Sequence, residues 1–198
     1  RLQQFVLSKL GEEAAGAVVI DINSGEVLAL ASNPTYDPNE FTRGISQENY
    51  DGLLKDPRNP LLNKALTGQY PPGSTFKMVV ALAALEQGVI TEDTEFYCNG
   101  KHRLGDHTFH CWQNRGHGRL NLLGGLANSC DVYFYEIAEL LDIEFIADMA
   151  RRFGLGSLYE IGVDGERSGL VPDRQWKRAY LEQTWHLGET LNVSIGQG

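Results

Sequence analysis

The chain has 198 residues, of which 42% are hydrophobic and 22% charged, and its formal net charge is −9. This length and composition are sufficient for one domain with its own apolar core. The acidic balance argues against nucleic acid as a partner, because no basic stripe is available to neutralise phosphates. The longest apolar run, residues 78–85, is too short to cross a bilayer.

The N-terminal part of the chain predicts a β-hairpin. Residues 17–21 and 27–31 are two β-rich runs, and the turn Asn23-Ser24-Gly25 lies between them. Residues 36–69 follow, rich in Asn, Pro and Gly, which favours long surface loops around short helices.

The sequence Ser74-Thr75-Phe76-Lys77 places a hydroxyl and an amine three residues apart, at the start of an apolar segment that ends at Gly88. Helical spacing within this segment is given by Phe76, Val79, Val80 and Ala83. The pattern predicts Ser74 at or near the helix N-cap, at the positive end of the helix dipole. Residues three apart share a helix face, so the Lys77 amine is expected to touch the Ser74 hydroxyl. A neutral lysine beside a serine can accept its proton as the serine attacks, which is the Ser-Lys form of acyl-transfer chemistry.

A second polar feature, Ser129-Cys130-Asp131, lies between two predicted helices at residues 119–127 and 132–141. In isolation, Ser129 is best interpreted as a helix cap and Lys77 as a surface lysine. The two motifs together favour the catalytic interpretation instead.

Three cysteines and one histidine form the pattern Cys-x12-Cys-x5-His-x12-Cys, made by Cys98, Cys111, His117 and Cys130. This is a complete Cys3His set of the kind that tetrahedral zinc prefers. A disulfide between Cys98 and Cys111, with Cys130 buried as a free thiol, is the alternative that the spacing leaves open. Three other histidines lie nearer in sequence to the first two cysteines and are alternatives to His117: His102, His107 and His110.

Ser74-x-x-Lys77 and Ser129-x-Asp131 resemble the first two of the three motifs of the penicillin-binding proteins, the serine acyltransferases that cross-link the bacterial cell wall. Asp131 stands where most relatives carry Asn, a variant that resembles the penicillin-binding protein 2 branch associated with cell elongation. The third motif, Lys-Thr-Gly, is not found among these residues. Further segments that resemble the family are the hairpin and residues 33–38, 63–65, 70–74, 168–173 and 192–198.

The resemblance implies an α/β fold of the penicillin-binding and serine β-lactamase type, an antiparallel sheet flanked by helices on both faces. On this interpretation residues 1–198 are one partial transpeptidase domain, with the Lys-Thr-Gly strand and the other later strands beyond Gly198. Ser74 would attack the carbonyl between the two terminal D-alanines of a peptidoglycan stem peptide, with Lys77 as base. Ser129 would relay a proton and Asp131 would position Lys77, although a carboxylate there also favours the charged lysine. The Ser74 backbone would supply one oxyanion-hole donor and the later strand the second.

Two other functions stay open at this stage. One is a serine β-lactamase or a penicillin-sensing receptor domain, and the other is an inactive, zinc-stabilised structural fragment. Glu189 is the one later acid considered as a hydrolytic base of the class A β-lactamase kind, and a solvated or structural carboxylate is the preferred interpretation for it.

The resemblance also bears on cofactors, partners and location. Some penicillin-binding protein 2 relatives hold a metal through matching positions, which favours a structural zinc ion at Cys98, Cys111, His117 and Cys130, with no organic cofactor. The implied partners are peptidoglycan stem peptides, β-lactam antibiotics, a membrane-embedded glycosyltransferase and proteins of the elongation complex. The implied location is the periplasmic face of the bacterial inner membrane, with the anchoring helix outside these residues.

Overall fold

The computed structural model describes residues 1–198, which group into two compact units. The first unit comprises Arg1–Tyr70 and Leu158–Arg167, and the second comprises Pro71–Ser157 and Ser168–Gly198. All residues of the predicted catalytic and metal sites lie in the second unit. The assignment of the whole chain to one partial domain stays a prediction.

The first unit contains the predicted hairpin, which is confirmed. Its elements are α1 (Leu2–Leu10), β1 (Ala15–Ile20), β2 (Val27–Asn33), α2 (Pro38–Arg43), α3 (Gln47–Lys55) and α4 (Lys64–Thr67). Strands β1 and β2 pair antiparallel from Ala15 opposite Asn33 to Ile20 opposite Val27. Gly25 in the connecting turn has φ 76, a left-handed conformation that glycine adopts without steric cost. The short helices α2 to α4 match the expectation for residues 36–69.

Backbone pairing, rather than apolar burial, organises much of the first unit. The Gln3 side chain on α1 donates to the Leu30 carbonyl at 2.7 Å and accepts from the Leu30 N–H at 2.9 Å, so it completes one edge position of β2. A Cβ atom on Gly16 would lie 3.0 Å from the Ala65 nitrogen, so glycine permits β1 to approach α4 closely. Helices α1, α2 and α3 contain no buried residue.

The second unit holds the main core and most of the helices. Gly73–Phe76 forms a 3₁₀ turn that leads into α5 (Lys77–Glu86). The remaining elements are β3 (Phe96–Cys98), β4 (Lys101–Leu104), β5 (His107–His110), β6 (Gly118–Leu120), α6 (Leu122–Ala127), α7 (Asp131–Leu140), α8 (Ile143–Arg152), α9 (Arg174–Leu181) and α10 (Leu187–Ser194). Strand β3 pairs with β6, and β4 pairs with β5, both antiparallel.

Helix α7 lies at the centre of this core. Val132, Phe134 and Ile137 are at most 1% exposed, and α7 packs against α5 and α10. Burial of each of these side chains stabilises the fold by about 1.5–3 kcal/mol. Because Asp131 is the first residue of α7, this packing also fixes the loop that precedes the helix.

One boundary differs from the sequence-based expectation. The helix predicted for residues 119–127 begins only at Leu122, because residues 118–120 instead pair with β3. Asn121 caps the shortened helix, since its side chain accepts a hydrogen bond from the Gly124 N–H at 3.0 Å. None of the helices combines the length and the apolar character that a membrane span needs.

Candidate active site and candidate metal centre

Ser74 lies on the 3₁₀ turn that precedes α5 rather than at the cap of α5, which is Phe76. The turn begins at Gly73, whose φ is 57, and the Gly73 N–H donates to the Gly196 carbonyl at 3.1 Å. A Cβ on Gly196 would lie 2.2 Å from the Gly73 oxygen, so only glycine permits this contact. The approach of these two backbones fixes the turn and leaves the Ser74 side chain exposed.

Lys77 is buried beneath this turn, with 1% of its surface exposed. Its Nζ donates to the Ser129 carbonyl at 2.8 Å, to Ser129 Oγ at 3.1 Å and to Asp131 Oδ1 at 2.7 Å. The Phe134 ring centroid lies 5.6 Å away, close enough for a cation–π contribution. All three donors of an ammonium are therefore used, which suits a buried charge that is paired and fully hydrogen-bonded.

The three hydrogen bonds of Lys77 Nζ go to Ser129 and Asp131, so Lys77 is linked to Ser74 through Ser129. Ser129 Oγ donates to Ser74 Oγ at 2.7 Å and accepts from Lys77 Nζ. A 3₁₀ turn and an α-helix both place residues three apart on one face, but the Lys77 side chain is buried and its Nζ extends to Ser129 and Asp131. The result is a continuous chain from Ser74 through Ser129 to Lys77.

The loop between α6 and α7 presents Ser129 in an unusual conformation. Its φ is 48, in the left-handed region that residues other than glycine rarely adopt. The Ser129 N–H donates to the Leu126 carbonyl and the Cys130 N–H to the Gly125 carbonyl, the two bonds of a Schellman ending of α6. A serine stands where that motif usually has glycine, and backbone strain of this kind, of order 1–3 kcal/mol, persists only when the surroundings enforce it.

Trp112 is a residue of this site that the sequence-based reasoning did not find. Its N–H donates to Asp131 Oδ2 at 3.0 Å, and its indole Nε1 donates to the carbonyls of Asn128 and Ser129, both at 3.1 Å. The one signal in the sequence is its position directly after Cys111. An isolated tryptophan beside a cysteine does not predict contacts 16–19 residues away in the chain.

The four predicted metal ligands lie together in one cluster. The ligand atoms of Cys98, Cys111, His117 and Cys130 are all within 4.8 Å of one another, and the three cysteines are buried free thiols. His117 Nδ1 is 3.6 Å from the sulfurs of both Cys98 and Cys111. Zn–S bonds of about 2.3 Å and a Zn–N bond of about 2.0 Å at the tetrahedral angle place sulfur and nitrogen about 3.5 Å apart. The cluster therefore has the donor set of a zinc site, and its two nitrogen–sulfur distances are close to those of one.

His117 and the buried His102 differ in their hydrogen-bond partners, and this difference separates their roles. His117 Nε2 is buried without a hydrogen-bond partner, so no oxygen acceptor holds this ring. His102, by contrast, has Glu136 at 3.1 Å from Nδ1 and Glu139 at 3.2 Å from Nε2. The cluster contains His117 and none of the three alternative histidines.

Burial raises the pKa of the Cys130 thiol, the hydrogen bond from the Tyr133 N–H opposes that rise, and the neighbouring Cys98 and Cys111 add to it. Without a cation in the cluster, Cys130 is thus held as a neutral thiol, whereas metal binding requires the thiolate. Cys130 also caps α7, because its sulfur accepts the Tyr133 N–H at 3.5 Å.

Glu189 occupies a structural position. It pairs with the buried Lys177, whose Nζ lies 2.5 Å and 2.6 Å from the two carboxylate oxygens, and it accepts the His186 N–H at the start of α10. Partial burial raises the pKa of Glu189, but the hydrogen bonds from Lys177 and His186 outweigh it, so the pKa lies below its usual value. A carboxylate engaged in this way is not available as a hydrolytic base.

Comparison with known proteins shows the family of this chain. Residues 15–197 match the penicillin binding protein transpeptidase domain, so the chain belongs to that family. It is 42% identical over 200 aligned residues to the peptidoglycan D,D-transpeptidase MrdA of Escherichia coli K12, covering all of this chain and 32% of that protein. The corresponding protein of Haemophilus influenzae is 37% identical, with 31% of its length covered. The chain thus spans about a third of the length of the curated relatives that it matches.

Solved structures give the same result. The chain superimposes over its whole length on penicillin-binding protein 2 of Pseudomonas aeruginosa, with a TM-score of 0.94 and 40% identity, covering 43% of that chain. For penicillin-binding protein 2 of Helicobacter pylori the TM-score is 0.94 at 38% identity, with 38% of that chain covered. The predicted resemblance to the penicillin-binding protein 2 branch and the predicted transpeptidase fold are confirmed.

Proposed function

We propose that this chain carries the nucleophile of a peptidoglycan D,D-transpeptidase that cross-links stem peptides through a serine acyl-enzyme. The observation that carries the proposal is the chain of hydrogen bonds from Ser74 Oγ through Ser129 Oγ to the buried Lys77 Nζ. Family membership and the names of the curated relatives support the same reaction class.

In the acylation step, Ser74 Oγ attacks the carbonyl between the two terminal D-alanines. The Ser74 proton passes to Ser129 Oγ, and the Ser129 proton passes to a neutral Lys77, so the hydrogen-bond direction is the reverse of the resting one. When the tetrahedral intermediate collapses, Lys77 returns the proton to Ser129 Oγ, and Ser129 Oγ delivers its own proton to the leaving D-alanine amine. An amine of a second stem peptide then attacks the acyl carbonyl and gives up a proton to Lys77 through Ser129, and Ser74 Oγ leaves and takes a proton back from Ser129.

The hydrogen bonds in the structure run in the direction needed for the second step, in which Ser74 is released from the acyl group. Lys77 donates to Ser129, and Ser129 donates to Ser74, the direction in which a proton is delivered to a leaving group. Asp131 Oδ1 lies 2.7 Å from Lys77 Nζ and pairs with its ammonium form, so Lys77 has to give up a proton before it can accept one from Ser129.

We also propose that zinc binds Cys98, Cys111, His117 and Cys130 in a structural role. When bound, zinc would neutralise the charge of the buried thiolates and fix Cys130, which lies between Ser129 and Asp131. Four protein ligands leave no open position for an activated water, so the chemistry of acyl transfer rests on Ser74, Ser129 and Lys77.

The proposed ligands and partners follow from the same site. Stem peptides are the substrates, and β-lactams acylate Ser74 in their place. A structure of Helicobacter pylori penicillin-binding protein 2 with MreC and one of a peptidoglycan synthase complex match this chain at 39% identity, which supports elongation-complex proteins as partners. The proposed location is the periplasmic face of the inner membrane.

A fluorescent penicillin tests the function. We expect stable labelling of the protein, loss of label in Ser74→Ala, and a label that persists for many times the acylation time. Rapid release would instead indicate a β-lactamase, and Ser74→Ala that still took up label would overturn the assignment of the nucleophile. Cross-linking of two stem-peptide substrates with release of D-alanine distinguishes a transpeptidase from a penicillin-sensing receptor.

A further inference from the structure

Trp112 binds the same two residues of the proposed site as Lys77, namely Ser129 and Asp131. The Ser129 carbonyl accepts from Lys77 Nζ at 2.8 Å and from the Trp112 indole N–H at 3.1 Å. Asp131 is also bound by both residues: its Oδ1 accepts a hydrogen bond from Lys77 Nζ, and its Oδ2 accepts one from the Trp112 backbone N–H. The catalytic loop is therefore held between a lysine and a tryptophan.

The hydrogen bonds from Trp112 restrain the loop at Ser129, the residue with the strained backbone conformation. Ser129 has φ 48, and in this conformation of the loop its Oγ donates to Ser74 Oγ at 2.7 Å. The indole N–H bridges the carbonyls of Asn128 and Ser129, the two peptide groups that flank the strained residue. A shared donor across these carbonyls opposes rotation of either peptide group, and that rotation would move Ser129 Oγ away from the nucleophile.

The exposure of Trp112 is unusual for a residue with this many contacts. Its surface is 63% exposed, so its ring is not held by burial in the core. The Trp112 and His117 rings pack in a T-shaped arrangement, with ring centroids 5.2 Å apart. The ring is thus positioned by contacts at its hydrogen-bonding edge and at His117, and its removal leaves the apolar core intact.

We infer that Trp112 is a positioning residue for acylation, which holds Ser129 in the conformation that relays the proton between Ser74 and Lys77. This inference rests on the proposed function. It assigns to Trp112 an effect on the rate of bond formation and none on the affinity of the non-covalent complex, because no contact of Trp112 involves Ser74 itself.

The test is a kinetic comparison of Trp112→Phe with the wild-type protein, using a fluorescent penicillin and separating the non-covalent dissociation constant from the acylation rate constant. Phenylalanine keeps an aromatic ring against His117 and removes the indole N–H. We expect the acylation rate constant to fall about tenfold, which corresponds to about 1.4 kcal/mol, while the dissociation constant stays within twofold. Trp176→Phe is the matched control, since the Trp176 indole N–H makes no hydrogen bond and its substitution should leave both constants unchanged.

A double-mutant cycle with Ser129→Ala distinguishes positioning from a general structural effect. If Trp112 acts through Ser129, Trp112→Phe should change the acylation rate less than twofold in the Ser129→Ala background. A tenfold loss in both backgrounds, or an unchanged rate in the single variant, would overturn the inference. Labelling of the wild-type protein and its loss in Ser74→Ala report separately on the proposed function.

Discussion

Different interactions hold the side chains in place in the two units. In the first unit, the strand residues Val18 and Ile20 are about half exposed, and backbone pairing sets the hairpin register. In the second unit, α7 and α5 are held by buried side chains such as Ile137 and Val80, which have no exposed surface. The proposed acyl-transfer site lies in the densely packed second unit, because such a site requires atoms fixed to within a few tenths of an ångström.

Lys77 and Lys64, two of the three buried lysines, give the largest expected contrast between the units. Lys77→Met should lower the rate of Ser74 acylation by about 10⁴-fold, because the proton acceptor is lost. Lys64 of the first unit is also buried, but its Nζ donates only to the Asn59 carbonyl at 2.9 Å, and burial lowers its pKa. Lys64→Met should leave the acylation rate within twofold. Fluorescent penicillin kinetics check both variants, and a Lys77→Met protein that is acylated at the wild-type rate would contradict the assigned role.

The proposed zinc site should stabilise only the second unit. His117→Ala should remove the metal and lower the free energy of unfolding by about 4 kcal/mol, since loss of a structural metal is among the largest single effects. Elemental analysis and amide hydrogen exchange measure the outcome, with faster exchange expected in residues 96–131 and unchanged exchange in residues 15–33.

His107→Ala is the matched control for the metal experiment, because this exposed histidine packs against Phe109 and lies outside the cluster. It should retain zinc and wild-type exchange. Equal loss of metal in both variants would show that the cluster is not the binding site.

The ion pair between Lys177 and Glu189 should make a smaller, pH-dependent contribution to the free energy of unfolding. Glu189→Gln should cost about 2 kcal/mol, because it leaves the buried Lys177 without a counter-charge. The depressed pKa of Glu189 means that its contribution is complete above the unfolded-state pKa and is lost as the pH falls through the folded-state value. Thermal unfolding from pH 7 down to pH 3 measures this, and the difference between wild type and variant should shrink with falling pH. A difference that is constant across this range would exclude the ion pair as its source.

The smallest expected difference between the units is in the stability cost of replacing a valine, Val80 in the second unit or Val18 in the first. Val80→Ala removes two buried carbon atoms from the second unit and should cost about 1.6 kcal/mol. Val18→Ala on the 46% exposed hairpin position should cost about 0.5 kcal/mol. Chemical denaturation of each variant checks the difference, and equal costs would show that the hairpin is as tightly packed as the core.

Much of this fold is predictable from local patterns. Two β-rich runs around Asn23-Ser24-Gly25 determine the hairpin, and the apolar spacing after Ser74 determines α5, because both signals act within a few residues. The helix limits at Leu122 were not predictable, since strand β6 forms only when β3 is present to pair with it.

The sequence by itself determined which groups take part: a serine and a lysine three residues apart, a second serine beside an aspartate, and three cysteines with a histidine. Only the tertiary structure decided how they connect. It placed Ser129 between Ser74 and Lys77, selected His117 for the cysteine cluster, and brought Trp112 to the catalytic loop. The physical reason is distance along the chain: these contacts join residues up to 55 positions apart, and no local propensity specifies a hydrogen bond that packing of the core has to create.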